Sequence, residues 1–355
     1  MNTVQALAQL VYCRPGFEGE CAQELDTLAA TAGMPGYARA ERGAGYAQFV
    51  LAEPMPFAES TDAFHWRRQV FARQSLAVIA RLDALPRSDR LTPLLAALPP
   101  GLAVADVWVE PPETDEGKTL AAFCRSFGNA LVQGLKKNGL IKKSSPLRLH
   151  AFFPTGEDCL VALADARASA PWPQGIPRLK FPKDAPSRST LKLDEAFHVL
   201  LDEAERERWL KPGMSAVDLG AAPGGWTWQL VHRGVHVTAI DNGPMEETLM
   251  MSGLVAHLRE DGFRYKPARP VDWMVCDMVE QPRRVAERMA QWLAEGWCRR
   301  SVFNLKLPMK KRYAEVQTAF DAMRRIAGDL EIRAKQLYHD REEITVFAQR
   351  RAPPR

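Results

Sequence analysis

The sequence at residues 217–228 reads V-D-L-G-A-A-P-G-G-W-T-W, and it decides the fold of the carboxyl-terminal half of this chain. A short apolar run ends at Gly220, a turn of small residues follows, and a second run predicts a helix over residues 226–233 that stops at Gly234. Strand, tight turn and helix in this order are typical of the first unit of a doubly wound α/β sheet. Because such sheets bind ligands at the carboxyl ends of their strands, the turn predicts a binding site.

The spacing of glycine and proline makes this turn more specific. Gly220 and the Gly224-Gly225 pair are separated by Ala-Ala-Pro, which fits neither a dinucleotide fingerprint nor a phosphate-binding P-loop. The turn resembles motif I of S-adenosylmethionine (SAM) methyltransferases, in the form typical of FtsJ-type ribose 2′-O-methyltransferases; the alternative is an ordinary glycine-rich turn. The resemblance implies a Rossmann-like α/β domain and SAM as cofactor. The turn residues that it places at the cofactor are Gly220, Ala222, Pro223, Gly224 and Gly225.

Length and composition exclude several classes of protein. At 355 residues two domains are the natural expectation, and 46% hydrophobic with 25% charged residues is typical of a globular protein. No apolar run approaches the ~20 residues that cross a bilayer, and the first ten residues contain no basic residue, so we expect a cytoplasmic protein without membrane contact. Six widely spaced cysteines without a C-x-x-C pair predict reduced thiols and no metal site. A monomer is the default expectation.

The amino-terminal region, residues 1–168, predicts an α+β structure in two parts. Residues 1–90 alternate short strands with a helix at 17–32, as expected of a small ferredoxin-like unit. Residues 95–168 predict a strand, a long amphipathic helix at 119–137, and a hairpin of strands 147–153 and 159–164. The second arrangement resembles a THUMP domain, and this resemblance implies RNA binding.

A run of basic residues lies in the second part. Between Gly117 and Gly156 the sequence has seven basic residues and no acidic one. They are Lys118, Arg125, Lys136, Lys137, Lys142, Lys143 and Arg148. The run is a candidate phosphate-facing surface, and the alternative is a solvated helix end whose charges complement the helix dipole. The aromatic and basic residues 64–68 are a second candidate, with a helix that has one exposed face as the alternative.

Residues 169–186 predict a linker between the two halves. They contain five prolines and three basic residues. Prolines at that density resist helix and sheet and favour an extended chain. The second domain is therefore expected over residues 187–355.

Acidic residues follow the predicted strands of this second domain. Asp241 comes directly after a strand at 236–240, where a carboxylate can accept both ribose hydroxyls of an adenosine cofactor. Asp261 follows where a third strand is expected to end, a position that commonly faces the adenine in this fold. Asp277 comes directly after a buried-type strand at 271–276.

Four charged residues form the candidate catalytic set, namely Lys192, Asp277, Lys306 and Glu343. Lys192 lies in the first turn of a predicted helix, where a cation opposes the helix dipole. Lys306 is expected at a strand end and Glu343 in the turn of a closing hairpin, although Glu342 is adjacent and a slip of one residue exchanges the two. Their order along the chain is similar to the Lys-Asp-Lys-Glu set of ribose 2′-O-methyltransferases.

The chemistry of 2′-O-methylation requires such a set. A ribose hydroxyl is a poor nucleophile at neutral pH, so it must be aligned with the methyl group and lose its proton. Lys306 can accept this proton if its pKa is lowered, and we expect Lys192 to lower it because like charges disfavour protonation. Asp277 and Glu343 are expected to orient the two amines.

Further motifs extend the resemblance to the whole chain. They are R-S-T-L-K-L-D-E-A-F-H at 188–198 and N-L-K-L-P-M-K-K at 304–311. Together with the turn and the linker they resemble the bacterial ribosomal large subunit methyltransferase M family. The resemblance implies SAM-dependent 2′-O-methylation of a cytidine in 23S rRNA, with Lys306 as proton acceptor. It also implies SAM contacts from Ser189, Asp241, Asp261 and Asp277.

Two other classes remain open. A base methyltransferase that acts on an exocyclic amine carries an N/D-P-P-Y type loop after the fourth strand, whereas this chain has D-M-V-E at 277–280. A cytosine C5 enzyme needs a nucleophilic cysteine there, and Cys276 is expected to point away from Asp277 and to be buried. The other class is an RNA-binding ribosome-assembly protein with an inactive methyltransferase domain. The intact turn and the intact Lys-Asp-Lys-Glu set argue against it.

Overall fold

A computed structural model describes residues 4–351 of the chain. The chain divides into two compact units, Met1–Ile176 and Pro177–Arg355, and each contains one seven-stranded sheet. The first eight residues of the expected linker, 169–176, belong to the first unit, where Ala170 and Ile176 are buried. Among the described residues, no helix is both long and apolar enough to cross a membrane.

The amino-terminal unit is the α+β structure expected from the sequence. Its strands are β1 (Gln5–Tyr12), β2 (Gly36–Ala40), β3 (Tyr46–Pro56), β4 (Gln74–Leu82), β5 (Asp106–Glu110), β6 (Leu147–Phe152) and β7 (Cys159–Asp165). Its helices are α1 (Glu18–Thr31), α2 (Phe57–Ala63), α3 (Leu91–Ala96), α4 (Asp115–Thr119) and α5 (Ala121–Lys137). The sheet order is β2-β3-β1-β4-β7-β6-β5, and β5 and β6 are its parallel pair. Because β4 pairs with β7, residues 1–90 and 95–168 contribute to one continuous sheet.

Helix α5 buries one stripe and exposes its end. Its buried residues recur every three or four positions, as the apolar face of an α-helix requires, and they pack against β6 and β7. They are Cys124, Phe127, Leu131 and Leu135. The last turn of the helix and the segment after it leave four lysines exposed to solvent. We call these the lysine surface: Lys136, Lys137, Lys142 and Lys143.

Other residues of the basic run have local partners. Lys118 pairs with Asp115 at 2.7 Å, and the guanidinium of Arg148 stacks on Trp108 at 3.6 Å from the ring centre. The phosphate-facing interpretation is therefore restricted to the remaining basic residues. In the 64–68 segment the aromatic rings of Phe64 and Trp66 are buried, so they are not available to stack on RNA bases.

The carboxyl-terminal unit is a doubly wound α/β sheet. Its strands are β8 (Ser215–Leu219), β9 (His236–Ile240), β10 (Val255–Leu258), β11 (Val271–Cys276), β12 (Cys298–Lys306), β13 (Leu330–Lys335) and β14 (Glu343–Arg350). Its helices are α6 (Thr190–Leu200), α7 (Glu203–Trp209), α8 (Gly225–Val231), α9 (Glu247–Met250), α10 (Pro282–Ala294) and α11 (Arg312–Ala327). The sheet order is β10-β9-β8-β11-β12-β14-β13.

The direction of the strands determines where a ligand can bind. Strands β8 to β12 run parallel, and β14 is antiparallel to both of its neighbours. The strand order reverses between β8 and β11, and such a switch point opens a crevice at the carboxyl ends of the strands. The expected Rossmann-like fold class is thus confirmed, and the glycine turn after β8 lies at this crevice.

Candidate active site

The glycine turn is shaped by close contacts within the protein. Gly220 has a φ of +75°, and a Cβ at this residue would lie 2.5 Å from Cγ of Met278. A Cβ on Gly225 would collide with the hydroxyls of Ser187 and Ser189. The positive φ and the close contact both favour glycine at position 220, and a side chain at position 225 would have to displace the two serine hydroxyls. Ser189 packs against the start of α8 and shares a 2.7 Å hydrogen bond with Ser187.

A cleft of about 500 Å³ opens at the carboxyl ends of the parallel strands. Four of the residues expected to contact a cofactor line it: Gly220, Asp241, Asp261 and Asp277. The lining contains five acidic side chains and no basic one among the described residues. It therefore suits a ligand that carries hydroxyls, amines and positive charge, and it does not suit a phosphate. The other expected contacts, Ser189 and residues 222–225, lie outside this lining.

Asp241 is fixed at the end of β9 by two backbone donors. Its Oδ2 accepts a hydrogen bond from the amide of Ala222 at 3.0 Å, and its Oδ1 accepts one from the amide of Gly243 at 2.7 Å. Ala222 thus contributes through its backbone, by orienting a carboxylate of the cleft. Asp261 lies on the loop after β10, where its Oδ1 accepts a hydrogen bond from the amide of Phe263 at 2.8 Å and its side chain is half exposed.

The four candidate catalytic residues meet beside this cleft. Asp277 Oδ1 lies 3.1 Å from Nζ of Lys306, and its Oδ2 lies 3.4 Å from Nζ of Lys192. Glu343 contacts the same two lysines, with Oε1 on Lys192 and Oε2 on Lys306. We call these four residues the lysine–carboxylate cluster. Glu342 instead pairs with Arg312 at 3.5 Å and is largely exposed, so Glu343 is the member that the fold selects.

Sheet register explains why these residues meet. Lys306 lies opposite Glu343 in the β12–β14 pair, and Asp277 follows the neighbouring strand β11. Lys192 reaches the cluster from the first turn of α6. All four side chains are at least about three-quarters buried, and their charges balance as two cations and two anions. Each lysine contacts both carboxylates, so ion pairs link all four side chains.

The pKa of Lys306 differs from the expectation. Burial lowers it, but Asp277 and Glu343 together outweigh burial, and the net pKa is raised above the ordinary value of a lysine. The expected lowering by Lys192 is therefore wrong for the free protein, because the two carboxylates lie in direct contact with the amine. Lys306 carries a proton in this state.

Three polar residues beneath the cluster were missed by the sequence reasoning. Asn304 donates a hydrogen bond to Asp277 Oδ1 at 2.8 Å, and Thr345 and Asp340 continue the contact inward. A weak signal exists in the sequence, because Asn304 and Thr345 lie two positions from Lys306 and Glu343. Residues two apart on a strand share one face of the sheet.

Two buried groups near the turn have raised pKa values. Burial is the main cause that raises the pKa of Asp218 to about 7, although Thr227 donates a 2.6 Å hydrogen bond to it. Burial likewise raises the pKa of Cys276 to about 12, so this thiol is not an activated nucleophile. Within residues 4–351, no group of three or more His, Cys, Asp or Glu side chains is arranged to hold a metal ion.

The fold, the acidic cleft and the glycine turn define a SAM-dependent methyltransferase. A family profile described as FtsJ-like methyltransferase matches residues 185–318. The chain belongs to the Ribosomal RNA large subunit methyltransferase M family. Two more profiles agree, since one for the RlmM ferredoxin-like domain matches residues 7–76 and one for the amino-terminal region of the family matches residues 89–165.

The relatives that establish the family match nearly the whole chain. The Ribosomal RNA large subunit methyltransferase M of Xanthomonas axonopodis pv. citri is 57% identical over 345 residues, which cover 96% of this chain and 99% of that protein. The protein of the same name from Xanthomonas campestris pv. campestris has the same identity and coverage. Among solved structures, TrmN from Thermus thermophilus is 16% identical with a TM-score of 0.36, covering 97% of this chain and 99% of that one.

Proposed function

We propose that this chain transfers the methyl group of SAM to the 2′-hydroxyl of a cytidine in 23S rRNA. The observation that carries the proposal is the lysine–carboxylate cluster, in which Lys192, Asp277, Lys306 and Glu343 meet beside the acidic cleft. The names of the relatives support ribosomal RNA of the large subunit as the substrate. Base methylation lacks support, because the loop after β11 reads D-M-V-E and Cys276 is buried with a raised pKa.

The cleft supplies places for the parts of the cofactor. When bound, SAM supplies an electrophilic methyl group and a positive charge on sulfur. Asp241 is proposed to accept the ribose hydroxyls, since its carboxylate is held toward the cleft by two backbone amides. Asp261 is proposed to face the adenine, and Asp277 the positively charged part. The rest of the glycine turn is proposed to act from outside the lining, since the amide of Ala222 orients Asp241 and Ser189 packs against Gly225.

Lys306 is proposed to accept the proton of the 2′-hydroxyl. In the free protein its amine is protonated, since Asp277 and Glu343 raise its pKa. Asp277 lines the cleft as well as the cluster, so a cation in the cleft competes with Lys306 for that carboxylate and lowers the pKa of the lysine. The neutral amine would then take the hydroxyl proton while the methyl group supplied by SAM passes to the ribose oxygen. One S–C bond would break as one C–O bond forms, the cofactor would leave as a neutral thioether, and no covalent enzyme intermediate is needed. Lys192 keeps both carboxylates in position.

The amino-terminal unit is proposed to hold the RNA. Its lysine surface exposes Lys136, Lys137, Lys142 and Lys143 to solvent. A cluster of positive charges without acidic neighbours in the sequence suits contacts with RNA phosphates. The THUMP-like interpretation of this region stays a prediction. On this proposal the enzyme works in the cytoplasm on 23S rRNA or its precursor.

Mapping of 2′-O-methyl groups tests the proposed function. Total RNA from cells that lack the enzyme is incubated with the purified chain and labelled SAM, and Lys306→Met serves as the matched control. We expect one labelled cytidine ribose in 23S rRNA, and none with the control. Label on a base would contradict ribose methylation. Tight SAM binding without transfer to any RNA would instead support a ribosome-assembly protein with an inactive methyltransferase domain.

A further inference from the structure

A chain of buried polar side chains runs inward from Asp277. Asn304 Nδ2 lies 2.8 Å from Asp277 Oδ1, and Thr345 Oγ1 lies 2.7 Å from Asn304 Oδ1. Thr345 Oγ1 also lies 3.0 Å and 3.2 Å from the two carboxyl oxygens of Asp340. Asn304, Thr345 and Asp340 are each 0% exposed. We propose that these three are positioning residues for methyl transfer, and that Asp340 acts among them as a neutral, protonated acid.

The number of available protons determines which group donates in each of these hydrogen bonds. Asp277 is contacted by two lysines, so it accepts and the amide group of Asn304 donates. The carbonyl oxygen of Asn304 then faces Thr345 and can only accept, which uses the single proton of the threonine hydroxyl. The contact between Thr345 and Asp340 therefore needs a donor on Asp340. A carboxylate has no proton to donate, whereas a carboxylic acid has one.

The surroundings of Asp340 agree with the neutral form. Glu343 from β14 and Glu195 from α6 face it with negative charge, and Lys192 from α6 faces it with positive charge. A further cation, the buried Lys335 of β13, lies opposite Thr345 in the sheet. Glu195 is a fixed neighbour, because it accepts hydrogen bonds from the amides of Tyr338 and His339 at 2.8 and 3.0 Å. Burial is the largest cause that raises the pKa of Asp340 well above its usual value, and the two carboxylates add to it.

The neutral acid has a consequence for the reaction, given the proposed function. The two cations and two anions of the lysine–carboxylate cluster stay balanced by one another when the neighbouring Asp340 is uncharged. An ionised Asp340 would add a third negative charge and hold the lysine protons more tightly, which opposes proton acceptance by Lys306. The hydrogen bond from Asn304 is also made to Asp277 Oδ1, the same oxygen that contacts Lys306. Without the amide of Asn304, that carboxylate is free to rotate away from the amine.

Substitutions at Thr345 test whether the chain positions the cluster. Thr345→Ser keeps the hydroxyl, and Thr345→Val keeps the shape but removes it. Single-turnover methyl transfer to rRNA is measured for both, with SAM affinity by calorimetry and thermal unfolding as controls. We expect Thr345→Ser to stay within about threefold of the wild-type rate and Thr345→Val to lose about tenfold or more, with SAM affinity unchanged. A wild-type rate in a folded Thr345→Val protein would overturn the positioning role.

Asp340→Asn tests the protonation state. The asparagine oxygen can accept from the amide of Leu337, as Asp340 Oδ2 does at 3.0 Å, while its NH2 group donates to Thr345. We expect a rate within about threefold of wild type, and the wild-type infrared spectrum at pH 8 should contain a carboxylic-acid C=O band that Asp340→Asn lacks. Absence of that band difference would overturn the proposal even if the variants folded poorly. A wild-type protein that transfers no methyl group would contradict the proposed function alone, since the infrared result does not depend on activity.

Discussion

Replacement of Lys306 by arginine separates proton acceptance from positive charge. Arginine keeps a cation against Asp277 and Glu343, which contact the lysine amine directly. A guanidinium cannot lose its proton in the accessible pH range, so it cannot act as a base. If Lys306 accepts the hydroxyl proton, Lys306→Arg should therefore lose nearly as much activity as Lys306→Met.

The size of the effect follows from the raised pKa of Lys306. An ordinary lysine amine is neutral in about one molecule in a thousand at pH 7.4, and the carboxylates reduce that fraction further in the free protein. Cofactor binding must offset part of this, and the rate should rise about tenfold per pH unit until the pKa of the loaded enzyme is reached. Loss of a general base typically costs about 10²- to 10⁴-fold in rate, so we expect Lys306→Arg to fall by at least 100-fold.

Single-turnover methyl transfer at several pH values between 6.5 and 9.5 measures this directly. SAM affinity is determined by calorimetry on the same proteins, because Lys306 lies outside the lining of the cleft and its replacement should change that affinity little. A Lys306→Arg protein that keeps more than a tenth of the wild-type rate would refute the reasoning. Lys306 would then be a positioning cation, and the proton would go to Asp277 or to water.

Three further predictions concern the cofactor, stability and RNA. Asp241→Ala should weaken SAM binding by about 2–3 kcal/mol in calorimetry, through lost hydrogen bonds to a charged acceptor, and unchanged affinity would remove Asp241 from the site. Asp218 ionises near roughly pH 4 in the unfolded chain and near pH 7 in the folded protein. Between these two values the folded state binds more protons than the unfolded state, so its stability falls as the pH rises. Asp218→Asn has no such proton. Its unfolding free energy relative to wild type should therefore increase by about 2–3 kcal/mol when the pH is raised from 5 to 8. Denaturant unfolding that gives the same difference between the two proteins at both pH values would contradict this. Glutamate in place of all four residues of the lysine surface (Lys136, Lys137, Lys142 and Lys143) should weaken RNA binding and reduce its salt dependence. The affinity for SAM should not change. If the slope of RNA affinity against salt concentration stayed the same, this surface would not contact RNA.

Local sequence patterns determine much of the second unit. The apolar runs before Gly220 and before Asp277 each predict a parallel strand. The reason is that strands buried on both faces have continuous apolar sequences. The sequence predicts Lys306 at a strand end and Glu343 in the turn of a closing hairpin, whereas the structure makes Glu343 the first residue of β14, opposite Lys306.

Other properties of the site depend on three-dimensional distances that a sequence does not contain. The pKa of Lys306 is decided by which charge lies nearest, and two carboxylates are in direct contact with the amine. The role of Asp340 depends on a loop between β13 and β14 that brings it under Thr345. The sequence places Arg148 in the basic run, and it does not show that Arg148 stacks on Trp108, which is 40 positions away.

Strand β14 comes late in the sequence but lies beside β12 in the sheet, and this affects the order in which the proposed site is assembled. The residues that line the cleft lie between Gly220 and Glu280, whereas Glu343 is 66 residues beyond Asp277. A chain synthesised as far as Glu280 contains all the residues that line the cleft but lacks Lys306 and Glu343. Until β14 inserts between β12 and β13, Lys306 lacks one of its two carboxylates. On the proposed function, the catalytic centre is therefore complete only after the strand that carries Glu343 has paired with β12, later in synthesis than the residues that line the cleft.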